Sequence, residues 1–376
     1  MSENKLDKTT HKNPFLQPYG TVHDTAPFDK ILLSDYEEAV LEGIRREDEG
    51  IEKILNNPEK PTFDNTVIAI DDDKDNEHYY DLLSRTTSVF FNLLSAETND
   101  AMDELAQKMS PILTKHSNDI RLNNRLFERV KAVHLHHRRL TSEEQMLLDK
   151  SYEGFVRSGA LLNEEDKEKL RNLTMEASQL SLQFSQNLLK ESHAYTLHIT
   201  EKEKLDGLPE TSLEAAAQTA KEQNLEGWVF TLDAPSYIPF MTYSTQRELR
   251  KQMFMAYNTK CIHKNEENNL EIVKRLVNLR REIAQLLGYK TYADYILVHR
   301  MAGNIKNVYQ LLDQLIEAYK PTAEKEVKAI EQKAKEMEGK DFELKPWDFS
   351  FYSHKLQLEK YNIDSEMLRP YFELSN

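Results

Sequence analysis

Residues 163–188, NEEDKEKLRNLTMEASQLSLQFSQNL, contain the clearest structural pattern in this 376-residue chain. Apolar side chains recur there at steps of three and four residues: Leu170, Leu173, Ala177, Leu180, Phe184 and Leu188. Such steps place the side chains on one face of an α-helix. The pattern predicts a long helix that begins after Asn163, a plausible cap, and packs lengthwise against another helix.

Similar patterns on both sides of this segment predict a mostly helical chain. Helices are expected at residues 34–57, from 65 onward, at 101–115, 123–137, 142–158 and 212–222, from about 245, and at 272–286, 292–299 and 304–339. Ser34 and Glu37 are expected to form a capping box, and Gly288 to end a helix. Asn304 is a plausible cap for the last long helix, and Pro321 is expected to bend or break it.

One internal region departs from the helical pattern. Residues 195–199 alternate between apolar and other side chains, and 227–232 and 237–243 also have strand-like composition. These features are typical of short strands. We therefore expect a small β element, inserted into the helical body at about residues 194–243.

The composition agrees with a helical fold and excludes several classes of partner. Only 10 of the 376 residues are Gly, whereas sheet-rich proteins use more of them in turns and phosphate loops. No apolar run approaches the roughly 20 residues of a membrane-spanning helix, so no membrane partner is expected. The net charge of -15 would repel a phosphate backbone, so no nucleic acid is expected either.

The predicted elements divide the chain into five segments. They are an irregular amino-terminal segment packed on the lobe (1–33), a helical domain (34–193), the small β and helix insert (194–243), a helical region (244–339) and an aromatic-rich end (340–376).

The sequence contains no complete catalytic or metal-binding motif. No two Gly residues are two apart, so G-x-G-x-x-G is absent, and neither a P-loop nor G-x-S-x-G occurs. None of the 12 His residues is followed by Glu, so the zinc-binding helix motif H-E-x-x-H is absent. We therefore expect no catalytic, cofactor-binding or metal-binding residue within these 376 positions.

The partial motifs have simpler structural interpretations. His134, His136 and His137 form the only His cluster, but the neighbouring Lys131 favours a solvated basic face over a metal site. The pair Asp75 and His78 has the spacing of half a di-metal helix, but the sequence offers no second half.

Two further patterns also fail as sites. The acidic run at 71–75 departs from a calcium loop at its sixth and twelfth positions, so we interpret it as an acidic helix surface. Cys261 has His263 nearby, but next-but-one spacing does not reliably supply a base, so an inert cysteine is expected. A single cysteine also excludes an internal disulfide and suits a reducing compartment.

Several short motifs occur in an order that resembles one family. They are Asn13-Pro14-Phe15-Leu16, Phe28-Asp29-Lys30-Ile31, Phe63-Asp64-Asn65-Thr66, Thr87-Ser88-Val89-Phe90-Phe91, Thr98-Asn99-Asp100, Leu287-Gly288-Tyr289, Tyr292-Ala293, Met301-Ala302, Pro346-Trp347-Asp348, Phe351-Tyr352 and Leu368-Arg369-Pro370-Tyr371-Phe372. Together they resemble the thimet-oligopeptidase-like zinc metallopeptidases, and among these most closely the bacterial peptidyl-dipeptidases. The resemblance extends over nearly the whole chain.

The resemblance implies an almost entirely α-helical enzyme in which two lobes flank a deep, narrow channel. The channel admits short unstructured peptides, and carboxyl-terminal dipeptides are released from them. Zinc lies on its floor, held by H-E-x-x-H and a downstream Glu. All of this zinc machinery belongs to the carboxyl-terminal part of the family, so it is expected beyond Asn376.

By the same resemblance, the chain is an elongated multi-helix lobe that forms one channel wall, followed by the truncated start of the catalytic lobe around Trp347 and Tyr371. We expect it to be inactive alone, to bind no zinc specifically, and to have the missing carboxyl-terminal lobe of its own chain as a partner. An exposed apolar patch near the carboxyl end is a further expectation. Trp347, Asp348 and Tyr352 are expected to serve core packing and a helix cap, with direct substrate contact as the alternative.

Two other interpretations stay open at this stage: a non-catalytic helical module that holds peptides in a groove, and a plain helical scaffold. The polar start, Met1 to Lys12, lacks the apolar core of a signal peptide. A cytoplasmic protein is therefore expected, or a periplasmic one if a signal was removed in cloning.

Overall fold

The computed structural model describes residues 11–71, 81–96, 98–136 and 139–372. Its helices are α1 (Leu33–Leu55), α2 (Ala69–Asp71), α3 (Asp81–Ala96), α4 (Asp100–Arg121), α5 (Asn124–His136), α6 (Ser142–Arg157), α7 (Glu164–Ala194), α8 (Glu210–Glu222), α9 (Ala234–Tyr243), α10 (Arg247–Asn258), α11 (Leu270–Leu286), α12 (Tyr292–Leu297), α13 (Ile305–Glu338) and α14 (Phe349–Tyr361). Two strands, β1 (Leu197–Ile199) and β2 (Trp228–Phe230), and several short 3₁₀ or π helices, among them Phe63–Ile68 and Ser365–Tyr371, make up the rest of the regular structure of these residues. The predicted mostly α fold with a small β element is confirmed.

The chain forms two compact units. Unit 1 comprises the described residues up to Ser185 together with Ile272–Tyr295, and unit 2 comprises Gln186–Glu271 together with the described residues from Ile296 onward. The five-segment division drawn from the sequence stays a prediction. Among the described helices, none combines the length and the apolar composition that a membrane crossing requires.

The core of unit 1 begins with aromatic contacts around α1. Phe15 is fully buried, and its ring lies 5.2 Å from that of Tyr36, which in turn lies 5.0 Å from the ring of Phe90 on α3. A side chain on Gly43 of α1 would meet the backbone of Leu83 at 3.0 Å. Glycine at this position therefore permits the close approach of α1 and α3.

The long helix α7 lies antiparallel to α4, which confirms the predicted lengthwise packing against another helix. Its contacts with α4 are largely polar: Ser178 Oγ lies 2.9 Å from Thr114 Oγ1, and Thr174 Oγ1 lies 2.9 Å from Asn118 Nδ2. Of the predicted apolar stripe, Leu170 is 3% exposed, whereas Leu188 at the other end is 37% exposed. The stripe therefore predicted the helix correctly, but short polar side chains make much of the contact with α4.

The small sheet lies in unit 2. β1 and β2 pair antiparallel, with Leu197 opposite Phe230 and Ile199 opposite Trp228. The buried face of β2 packs onto α9, where the rings of Phe230 and Phe240 are 4.8 Å apart. The first two predicted strands are confirmed by this pairing.

The strand predicted at residues 237–243 is wrong, because these residues belong to helix α9. Pro235 stands in the first helical positions, where its fixed φ and missing N–H favour a helix. The amide of Tyr237 donates to Asp233 O at 2.8 Å, which closes the first turn. A short apolar run does not distinguish a strand from a buried helix, and here burial of Phe240 and Met241 was compatible with either.

The predicted helix ends have mixed outcomes. The capping box at Ser34 is wrong, because α1 begins at Leu33 and the Leu32 amide donates instead to Asp35 Oδ2 at 2.7 Å. Asn163 accepts from the amide of Asp166 at 2.9 Å, as predicted.

Two other predicted ends are confirmed. Gly288 has φ +85° and follows α11, and Tyr289 N donates back to Ala284 O at 2.9 Å, which is a glycine-terminated helix end. Asn304 accepts from Asn307 N at 3.0 Å and caps α13. The break considered at Pro321 does not occur, because α13 is one helix of 34 residues.

Candidate functional site

A buried ionic centre organises the region just before α14. Asp348 is 0% exposed and accepts hydrogen bonds from two arginines of α10, from Arg247 Nη2 at 2.7 Å and from Arg250 Nη2 at 2.9 Å. Arg250 is only 1% exposed and also donates to the Ser244 carbonyl at 2.8 Å. The amide of Lys345 donates to Asp348 Oδ2 at 3.1 Å.

The charge state of this centre follows from its contacts. Burial by itself would raise the pKa of Asp348, but the hydrogen bonds from Arg247 and Arg250 more than offset it, and the pKa lies below its ordinary value. The carboxylate is therefore ionised at neutral pH, and each of its oxygens is paired. A buried charge that loses its partner is strongly destabilising, so this centre fixes how α10 meets the start of α14.

Aromatic side chains surround the ionic centre. The Arg250 guanidinium lies 4.3 Å from the ring centroid of Phe351, and the rings of Phe351 and Tyr352 are 5.0 Å apart. The packing role expected for Asp348 and Tyr352 is thus observed. The expected cap is different, because the Asp348 carboxylate caps the turn Pro346–Asp348 and makes no capping bond to α14.

The last described segment, Ser365–Tyr371 with Phe372, follows a second polar contact. Tyr243 Oη donates to Asp364 Oδ1 at 2.7 Å, and His354 Nε2 lies 3.5 Å from Asp364 Oδ2. Burial lowers the pKa of His354 despite the nearby carboxylate. These contacts hold the polypeptide that leaves α14 against α9.

The amino-terminal two thirds of α13 expose an apolar face. All of α13 is described, and none of its residues before Ile330 is buried. Six large apolar side chains in this part are between 41% and 67% exposed: Tyr309, Leu311, Leu312, Leu315, Ile316 and Tyr319. We call these six residues the α13 face. An amphipathic helix is normally stabilised by covering such a face, so the α13 face is a candidate interaction surface.

More apolar surface is exposed at the carboxyl end of the chain. Tyr361, Met367, Tyr371 and Phe372 are at least half exposed, and Tyr371 reaches 82%. A groove of about 470 Å³ runs between α13 and α14, lined in part by Val327, Ile330, Leu356 and Tyr361. The apolar patch expected near the carboxyl end is therefore present.

The His and Cys residues that the sequence analysis tested as metal ligands or nucleophiles contact neighbouring protein side chains. His134 stacks on Tyr152 with ring centroids 4.2 Å apart, and its Nε2 lies 3.3 Å from Asp149 Oδ1. Cys261 is buried, and burial together with the nearby Glu191 carboxyl raises its pKa to about 12. His263 lies 3.6 Å from Glu191. A thiol with so high a pKa is a poor nucleophile.

Other sequence candidates lie outside the described residues. They are Asp72, Asp73, Asp75, Asn76 and His78 of the acidic run and its half motif, and His137 of the His cluster. In the part of the chain that the structure describes, no three His, Cys, Asp or Glu side chains are grouped so that they could hold a metal ion.

The ionic partners of Asp348 were missed by sequence reasoning. Arg247 and Arg250 are about one hundred residues away in the chain, and nothing in their local pattern distinguishes them from surface arginines of an amphipathic helix. The exposed state of the α13 face was missed for the same reason. Periodicity identifies a face but not whether another element covers it.

Comparison with known proteins gives one family. Residues 240–376 match the sequence model of the family described as Peptidase family M3. The chain is 33% identical over 97% of its length to a dipeptidyl carboxypeptidase of Escherichia coli, and covers 53% of that protein. It is 30% identical over 96% of its length to oligopeptidase A of Escherichia coli, covering 52% of it, and 28% identical over 98% to an organellar oligopeptidase A of Arabidopsis thaliana, covering 46%. The chain thus spans about half the length of these relatives.

Proposed function

The chain belongs to peptidase family M3, and from this we propose that it is the amino-terminal, channel-wall part of a zinc metallopeptidase that removes carboxyl-terminal dipeptides from short peptides. The helical lobes and channel that the family resemblance implies support this role. The names of the relatives, a dipeptidyl carboxypeptidase and oligopeptidases, support short peptides as substrates. The cytoplasm is the proposed compartment.

We place the zinc site of the whole enzyme outside these 376 residues. The described side chains offer no group of three metal donors, and no His in the sequence is followed by Glu. The residues present therefore do not fit a catalytic zinc ion, which requires three protein ligands and an open position. The chain by itself is proposed to be catalytically incomplete.

The observation that carries this proposal is the α13 face. Large apolar side chains on one face of a 34-residue helix lie open to solvent, while the relatives continue for about as many residues again. We propose that the carboxyl-terminal half covers the α13 face and the groove between α13 and α14. The ionic centre at Asp348 would then fix the position from which the chain enters that half.

The first test compares the 376-residue chain with the protein extended by the coding sequence after codon 376. Each is purified, supplied with zinc and incubated with an amino-terminally blocked tetrapeptide. We expect dipeptide release only from the extended protein, and binding of a dye for apolar surface only by the shorter chain. Dipeptide release by the rigorously purified shorter chain would contradict the proposal.

A second arm tests the surface itself. Replacing Leu312 and Ile316 together by Lys is expected to lower dye binding by the short chain and to destabilise the extended protein. Gln310→Lys with Gln314→Lys adds the same charge at the same spacing on the other side of α13, and is expected to change neither property. Equal effects from both pairs would show that the α13 face has no special partner.

A further inference from the structure

An open cavity of about 420 Å³ lies at the surface of unit 1, between α4, α6, α7, α11 and α12. Leu113, Leu170 and Ile283 form an apolar part of its wall, and Thr114 and Asn118 add polar groups. This volume falls in the range of about 300–1,000 Å³ that is typical of small-molecule sites. Nothing in the proposed peptidase function uses it.

Two guanidinium groups stand in the wall of this cavity. Arg157 donates to the Tyr295 carbonyl at 2.7 Å and to Tyr289 Oη at 3.2 Å, and it lies 4.4 Å from the ring centroid of Tyr295. Arg121 donates to Ser158 Oγ at 3.3 Å. A guanidinium carries five N–H donors, so these bonds use two donors of Arg157 and one of Arg121. The remaining donors are available to a ligand.

Neither arginine is neutralised by the protein. The cavity wall contains no carboxylate, and among the described residues neither Arg121 nor Arg157 has a carboxylate oxygen within 4 Å. Two acidic side chains on these helices, Asp119 and Glu176, are paired with other arginines. Asp119 lies 2.6 Å from Arg171, and Glu176 lies 2.5 Å from the arginine at position 275, which also contacts Glu282 at 3.2 Å.

A pocket with two unneutralised arginines is unusual in a chain of net charge -15. Two guanidinium groups at one cavity repel each other, and a bound anion would relieve that repulsion. Arginine is well suited to planar, bidentate recognition of phosphate and carboxylate groups. The apolar side chains that line the same cavity offer a surface for the uncharged part of a ligand.

We propose that this cavity binds a small organic anion, whose phosphate or carboxylate group lies between Arg121 and Arg157 and whose apolar body lies against Leu113, Leu170 and Ile283. The site is separate from peptide hydrolysis, so it does not depend on the proposed function. Arg157 both fixes Tyr295 and contacts the ligand, whereas Arg121 is exposed and has the ligand as its main partner.

Calorimetric titration of the 376-residue chain at low salt tests the site. The probes are phenyl phosphate and 3-phenylpropanoate, with the uncharged 3-phenylpropanamide as comparator. We expect at least one anion to bind, at least tenfold tighter than the amide, and Arg121→Gln to weaken that binding at least tenfold. The stronger of the two anions identifies the head group.

Arg281→Gln is the matched control, because Arg281 is an exposed arginine of α11 outside the cavity wall and its loss changes the net charge equally. It is expected to leave binding within twofold. Arg157→Gln is also expected to abolish binding, but Arg121→Gln decides the test because it removes no anchor of Tyr295. Absence of anion binding, binding that survives Arg121→Gln, or an equal loss in Arg281→Gln would each overturn the proposal.

Discussion

The two longest helices, α7 and α13, have similar apolar periodicity but different surroundings. The middle of α7 makes polar contacts with two other helices. Arg171, Thr174 and Ser178 each form a hydrogen bond with a side chain of α4, and Glu176 forms an ion pair with an arginine of α11. α13 is covered only near its carboxyl end, where Ile330 and Ala334 pack with Phe351 and Tyr352.

The difference shows what periodicity does and does not predict. A repeat of three and four residues predicts a helix with one apolar face in both cases. The surrounding elements determine whether that face is buried. The face of α7 is contacted by α4 and α11, whereas the face of α13 is open, and under the proposed function it is the surface that the carboxyl-terminal half would cover.

The largest loss of unfolding free energy is expected when the ionic centre beside the covered end of α13 is disrupted. Asp348→Ala would leave Arg250 buried without a counter-ion, which costs roughly 3–5 kcal/mol. Both tryptophans, Trp228 and Trp347, lie in unit 2, so the urea midpoint followed by Trp fluorescence reports on this unit. Asp341→Ala, at an exposed position, is the control and should leave the midpoint nearly unchanged. A midpoint equally insensitive to Asp348→Ala would show that the pair is dispensable.

A matched pair of leucine truncations compares the two helices directly. Leu170→Ala on α7 removes a buried side chain and is expected to cost about 2–5 kcal/mol of unfolding free energy. Leu312→Ala on the α13 face is expected to cost less than about 0.5 kcal/mol in the 376-residue chain, because its side chain is 45% exposed. Urea unfolding followed by far-ultraviolet circular dichroism measures both. Equal costs would contradict the contrast between a covered and an open face.

The smallest expected effect is a pH-dependent stabilisation by His116 of α4, the helix that packs against α7. On α4, His116 is 7% exposed, with Nε2 2.7 Å from Glu47 Oε2 and Nδ1 3.3 Å from Asp48 Oδ1. Burial lowers the pKa of His116, but Glu47 and Asp48 outweigh burial and raise it above its ordinary value of 6.5. The resulting stabilisation is fully present below about pH 6.5 and is lost as the pH rises through the raised pKa.

Thermal unfolding of the wild type and of His116→Gln at pH 6 and pH 9 measures this pH-dependent stabilisation. The advantage of the wild type is expected to be larger at pH 6. His193→Gln, at an exposed position on α7, is the control for the loss of a histidine side chain. An advantage of His116 that grows toward pH 9 would reverse the assigned sign.

Much of the secondary structure was predictable because its causes are local. Asn163 and Asn304 cap helices through their own side chains, and Gly288 ends α11 through its own positive φ. The strand predicted at 237–243 failed because its apolar composition suits either state and packing of Phe240 decided between them.

The candidate sites were less predictable, because they join distant parts of the chain. Arg121 and Arg157 end two different helices, and only their meeting at one cavity relates them. Asp348 and its two arginines are separated by about one hundred residues. A single sequence carries no signal for such pairs.

The sequence by itself determined the helical class, most helix ends and the family, because these depend on local periodicity, side-chain caps and short motifs in order. Only the tertiary structure decided which apolar faces are covered, that Asp348 is buried between Arg247 and Arg250, and that two arginines meet at one cavity. Burial and charge pairing depend on which residues become neighbours in space. For that reason α13, whose pattern resembles that of α7, differs from it only once the fold is known.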